Sequence, residues 1–141
     1  MKRQMKAQSI TNWGPRYSSY WLTLPIAVGI IFIGLRFIMA PSVAAQGYGI
    51  PLQPDSSLSY GYVKGIRDIF AGLILLPFLW LRRARTTAII FSLAIIIPAA
   101  DFCIILVNNG LHDIAHLLIH GGTTLYMIVV SVLLFRVKSS N

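Results

Sequence analysis

Four apolar segments, at about residues 21–40, 64–81, 86–107 and 113–135, dominate a chain of 141 residues. Each comes close to the ~20 residues that a helix needs to cross a bilayer core. With 56% hydrophobic residues and a mean hydropathy of +0.72, the composition lies outside the usual range of soluble domains. The expected fold is all-α: an integral membrane four-helix bundle, one domain over 21–138, preceded by a basic tail at 1–20. The second segment is the shortest, and its entry is charged.

A net charge of +8 could point to nucleic acid, but the basic residues sit between apolar segments rather than along a solvated stripe. Their placement reads as a topology signal. Lys2, Arg3, Lys6 and Arg16 precede the first segment, Arg82, Arg83 and Arg85 separate the second from the third, and Arg136 and Lys138 follow the fourth. Four spans put all of these on one side, and the positive-inside rule makes that side cytoplasmic, with both termini inside. Arg36, Lys64 and Arg67 remain for the outer half, together with all four acids, Asp55, Asp68, Asp101 and Asp113.

Between the spans, the segment 41–59 (PSVAAQGYGIPLQPDSSLS) is too rich in proline and glycine for a span and too apolar for a free linker. It is expected to form an ordered outer loop that caps the bundle. SVAAQ at 42–46 imitates a signal-peptidase site, but the long apolar stretch before it favours an uncleaved first span. Trp13, Tyr17, Tyr20 and Trp21 read as an interfacial aromatic belt. Cys103, the only cysteine, is expected to be a small buried residue, since it has no disulfide or CxxC partner. Pro98, three residues before Asp101, is placed to kink the third span where an acid enters it.

Charges at membrane depth need a partner or a task. At 1.5 Å per residue, Arg36, Asp68 and Asp101 fall about 5, 6 and 9 Å below the outer ends of their spans. His112, His116 and His120 step inward from the same side, so polar groups from all four helices converge at one level. Gly61, Gly65, Asp68 and Gly72 share a helix face, which turns Asp68 toward protein, and Gly29 and Arg36 offer a matching face. Arg67 and Asp68 point about 100° apart on a helix, so each is expected to pair with another helix. The candidate pairs are Arg36 with Asp68 or Asp101, and Arg67 with Asp101 or Asp113. Lys64 is expected at the interface, where its stem can snorkel to water.

The three histidines are spaced i, i+4, i+8 and would form a ladder along one face. Such a ladder can hold hydrogen bonds between helices, a proton path or a polar head group. His112 and His116 with an aspartate are permissible zinc ligands, but no defined metal motif is present, and no cofactor is expected. A di-iron centre would want glutamates, of which the chain has none. Asp68, Asp101 and His120 are the candidates for acid/base chemistry, with Arg36 and Arg67 as an electrostatic clamp.

The blocks GLRFIMAP, YGIP, YVKGIRDIFAGL, IPAADFCIILVNNG and HGGTTLYM resemble those of the domain of unknown function 4267 family, small four-helix membrane proteins grouped with DoxX-like proteins. The resemblance covers residues 24–136 and implies a membrane-embedded four-helix bundle, with no established activity. It singles out Arg36, Pro41, Gly49, Pro51, Lys64, Gly65, Arg67, Asp68, Asp101, His120 and Gly121, but neither His112 nor His116. Some DoxX-like relatives are associated with quinone-linked redox enzymes, a likeness at the level of fold alone. The expected role is a binding or accessory membrane subunit in a bacterial inner membrane, alone, as a homo-oligomer or in a complex, with a lipophilic small molecule as a possible ligand. The alternative is a membrane enzyme acting on a quinone or terpenoid, and a solute pore ranks last.

Overall fold

A computed structural model describes residues 13–53 and 58–137, and among these residues it is helical throughout. The order is α1 (Ser18–Met39), α2 (Pro41–Tyr48), α3 (Ser59–Trp80), α4 (Ala84–Ala94), α5 (Ile96–Asn109), a 3₁₀ turn (Gly110–His112) and α6 (Ile114–Phe135). Among the described residues, three stretches are long and apolar enough to cross a membrane: Ser18–Met39, Ala84–His112 and Ile114–Phe135. α3 matches α1 and α6 at 22 residues but carries Lys64, Arg67 and Asp68.

The closest packing is between α1 and α3. A Cβ on Gly65 would lie 2.8 Å from the Gly34 carbonyl oxygen, and one on Gly72 would lie 2.5 Å from that of Ala27. Because 34 meets 65 while 27 meets 72, the two helices run antiparallel. Without side chains in the way, backbones approach closely, and dispersion replaces the hydrophobic drive that lipid does not supply. The face that α1 offers is thus Ala27 and Gly34. Gly29, expected there, has nothing within 4 Å of a Cβ and turns elsewhere.

The long apolar stretch after the arginine turn is broken rather than continuous. Pro98 has no N–H to donate to the carbonyl of Ala94, where α4 stops, and α5 restarts at Ile96. Opposite this break, α6 packs against both pieces, with the Ser92 and Ser131 hydroxyls bonded across and Tyr126 donating to the Leu22 carbonyl of α1 at 2.7 Å.

The segment expected to be an irregular loop begins as a helix. Pro41 sits at the first helical position, where its missing N–H costs nothing, and Gly49 ends α2 in the left-handed region at φ 106°. α2 buries Ala44, Ala45 and Tyr48 against Phe37, Ile105 and Leu117, forming a lid across one end of the helices. Residues 54–57 of that segment, and Lys2, Arg3, Lys6 and Lys138 of the basic flanks, lie outside the described residues.

Two expectations fail on burial. Trp13 is not interfacial: it is fully buried in the second core cluster, at the far end from α2, and its Nε1 donates to Ser19 Oγ at 3.0 Å. Cys103 is exposed on the outside of α5, because the buried face of that helix is set by Asp101 and Ile105.

Candidate functional site

Beneath the α2 lid, four charges interlock. α3 starts at Ser59, so Lys64 stands in its second turn, on the face that carries Gly61, Gly65 and Asp68. Its Nζ lies 3.3 Å from Asp68 Oδ2 and 3.1 Å from Asp101 Oδ2, at 6% side-chain exposure. Lys64 is therefore a buried bridge, not a snorkelling interfacial residue. The reason is the earlier helix start, which puts a full turn of α3 between Lys64 and the helix end. Aromatic faces complete its surroundings, Tyr48 at 4.4 Å and Phe37 at 5.3 Å from Nζ to ring centroid.

Arg67 and Asp68 do bond to each other despite being adjacent. Arg67 Nε and Nη2 each lie 2.9 Å from Asp68 Oδ1, and Nη2 also reaches to 3.6 Å from Asp101 Oδ1. The long guanidinium arm curls around the helix, which the angle between Cβ directions does not capture. Arg67 remains 40% exposed, so one face of its guanidinium is left open.

The lid contributes a phenol. Tyr48 OH donates to Asp101 Oδ1 at 3.1 Å, and burial, then the neighbouring carboxylate, push that phenol far above its ordinary value, so it stays protonated. Tyr48 was not singled out in the sequence, where YGIP gave only the glycine and proline as signals. His120 Nε2 lies 3.1 Å from the Tyr48 carbonyl oxygen, which can only accept, so this nitrogen carries the proton.

The histidines do not form a ladder. His112 belongs to the 3₁₀ turn and is exposed, and Asp113 interrupts the helix as the N-cap of α6. His116 Nδ1 pairs with Asp113 Oδ1 at 2.7 Å, outside the charge cluster. Asn109 bonds to the same carboxylate and to the Gly49 carbonyl oxygen at 2.7 Å, tying the end of α2 to the α5–α6 corner. Hydrogen bonds from Asn109 and then from His116 hold the Asp113 carboxyl below its usual range. Among the described residues, no three His, Cys, Asp or Glu side chains are grouped to hold a metal ion.

Below the cluster lies a cavity of about 340 Å³. Its walls are apolar side chains such as Ile26 and Ile30 of α1, Leu75 of α3, Ile97 of α5 and Met127 of α6, with Ala94 and Pro98 at the helix break. Its polar end presents Lys64, Asp68, Asp101, Tyr48 and His120, and Arg36 of α1. Arg36 is exposed and makes no ion pair or hydrogen bond to another side chain among the described residues, so the expected pairing with Asp68 or Asp101 does not form. Lys64 and Arg67 take those carboxylates instead. Ile33 and Ile119 line the cavity while being 47% and 56% exposed, so it opens sideways between α1 and α6.

Three helical stretches of spanning length and apolar composition, with large apolar side chains such as Phe32, Leu118 and Leu125 over their outward faces, mark a helical membrane protein with a charge-roofed cavity. A family model matches residues 27–134, and the chain belongs to DUF4267, a domain of unknown function. No curated protein and no solved structure matches it.

Proposed function

We propose that this is a four-span membrane protein with both termini cytoplasmic, and that it is a binding or accessory protein whose cavity holds a lipophilic small molecule. In this reading α3 is the fourth span. Its charges are accommodated because Lys64 and Asp68 point inward, at the level of the α2 lid, and the half-exposed Arg67 curls back onto Asp68, while Ile66, Phe70 and Leu73 cover its outer face. The distribution of arginines and lysines supports this orientation.

The observation that carries the binding role is the cavity itself. Its volume lies at the small end of the ~300–1,000 Å³ range of small-molecule sites, its walls are apolar, and a few polar groups converge at one end. Support for acid/base catalysis is weaker. The oxygens of Asp68 and Asp101 are all engaged by Lys64, Arg67 or Tyr48, so the two aspartates serve first to hold α2, α3 and α5 together.

Mass spectrometry of molecules retained by the purified full chain tests the role. Gly29 of α1 also lines the cavity, so a recurrent lipophilic ligand, lost when the space is filled by Gly29→Leu, is the expected result, and a protein that retains nothing counts against it. For topology, Gln46→Cys in a Cys103→Ser background should react with an impermeant maleimide on intact cells. Reaction only after lysis overturns the orientation.

A further inference from the structure

Counted with Arg67, which joins the network from outside the cavity lining, the charges at the polar end of the cavity do not balance. Lys64 and Arg67 neutralise Asp68 and Asp101 within one network, leaving Arg36 as an unmatched cation among the described residues. Arg36 stands three residues before the end of α1, at the level of the lid, beside the opening between α1 and α6. Its position in the last turn suits the helix dipole, which accounts for the sign of the charge but not for its place on a cavity wall. A guanidinium at membrane depth is costly unless an anion meets it, and its planar fork suits a carboxylate or a phosphate.

Resting on the cavity as a binding site, we infer that its ligand is a single-chain amphiphile with an anionic head group: the head pairs with Arg36, and the chain enters between α1 and α6 to lie along Ile30, Leu75 and Met127. The volume of about 340 Å³ suits one chain of modest length rather than the two chains of a phospholipid. The sideways opening lets such a molecule enter from the bilayer without passing the lid. No bond is made or broken; the interaction is an ion pair formed at a low-dielectric rim, where it is stronger than in water.

Equilibrium binding of radiolabelled dodecanoate, dodecyl phosphate and dodecanol to the full chain in nanodiscs tests this. The wild-type protein should bind at least one of the anions roughly tenfold or more tightly than the alcohol, as charge-assisted hydrogen bonds lend. Which anion is preferred tells a carboxylate ligand from a phosphate one. Arg36→Gln should erase the preference and leave dodecanol binding and the melting temperature unchanged, since Arg36 has no ion-pair partner among the described residues. Gly29→Leu, which meets no atom within 4 Å at its Cβ, should abolish binding of all three by filling the cavity. Equal binding of acid and alcohol by the wild type, or a preference that survives Arg36→Gln, overturns the anion assignment while leaving the cavity reading intact. Absence of binding by every probe, or binding that survives Gly29→Leu, overturns the cavity reading and this inference with it.

Discussion

Lys64 Nζ sits 3.1 Å from Asp101 Oδ2, joining helices 37 positions apart in sequence, and both side chains are more than nine-tenths buried. An ion pair in that setting exists only because Tyr48 and Arg67 offer donors to the other Asp101 oxygen and Asp68 accepts from the Lys64 ammonium. Buried charge without such partners is strongly unfavourable.

Removing one member should therefore cost more than the pair itself contributes. Lys64→Met is expected to destabilise the protein by about 3–5 kcal/mol, because it strands two carboxylates in a low-dielectric interior. Arg67→Gln should cost less, since its side chain is 40% exposed and its attraction is screened. Denaturation in detergent, followed by helix content, gives the comparison; equal losses would contradict the central place of Lys64.

Helix packing yields a contrast between two glycines on α1. Gly34→Ala drives a Cβ to 2.6 Å from the Gly65 carbonyl oxygen, a rigid backbone atom, and should cost about 1–3 kcal/mol as α1 and α3 separate. Gly29→Ala meets nothing within 4 Å and should be neutral or slightly stabilising. Thermal unfolding of the two variants decides the matter, and a reversed order would reject the α1–α3 interface.

The lid depends on Gly49. Its φ of 106° is a conformation that side chains rarely adopt, and a Cβ there would lie 2.8 Å from His116 Cγ and 2.9 Å from Ile105 Cδ1. Gly49→Ala should loosen α2 before anything else unfolds. Hydrogen exchange should then rise in 41–48 while α3 and α6 keep their protection.

Acid should weaken the α5–α6 corner. Asp113 has a folded-state pKa below its ordinary 3.8, so the carboxylate stabilises the fold above that value, and the contribution is lost as pH falls through the lower folded value. Melting temperature should drop in that acidic window, and Asp113→Asn should shrink the drop. A slope unchanged in the variant would overturn the assignment to Asp113.

Apolar segment lengths, the arginine turn and the glycine stripe on α3 were legible along the chain, because each follows from helix period and bilayer thickness. Asp68 facing another helix was legible for the same reason. The partners were not. Angular bookkeeping on Cβ directions separated Arg67 from Asp68, yet a flexible side chain spans that angle. The apolar run by itself starts a helix at Lys64 and so puts that residue at the interface, whereas α3 begins at Ser59.

The sequence by itself determined that the chain is helical, that several stretches suit lipid, and which residues are too polar to face it, since these depend on composition and on a fixed rise per residue. Only the tertiary structure decided that α2 folds back as a lid, that Lys64 bridges two aspartates, and that Arg36 is left over beside a cavity. Those outcomes depend on where helices end and how closely glycines let them approach, and both are settled by contacts between distant parts of the chain.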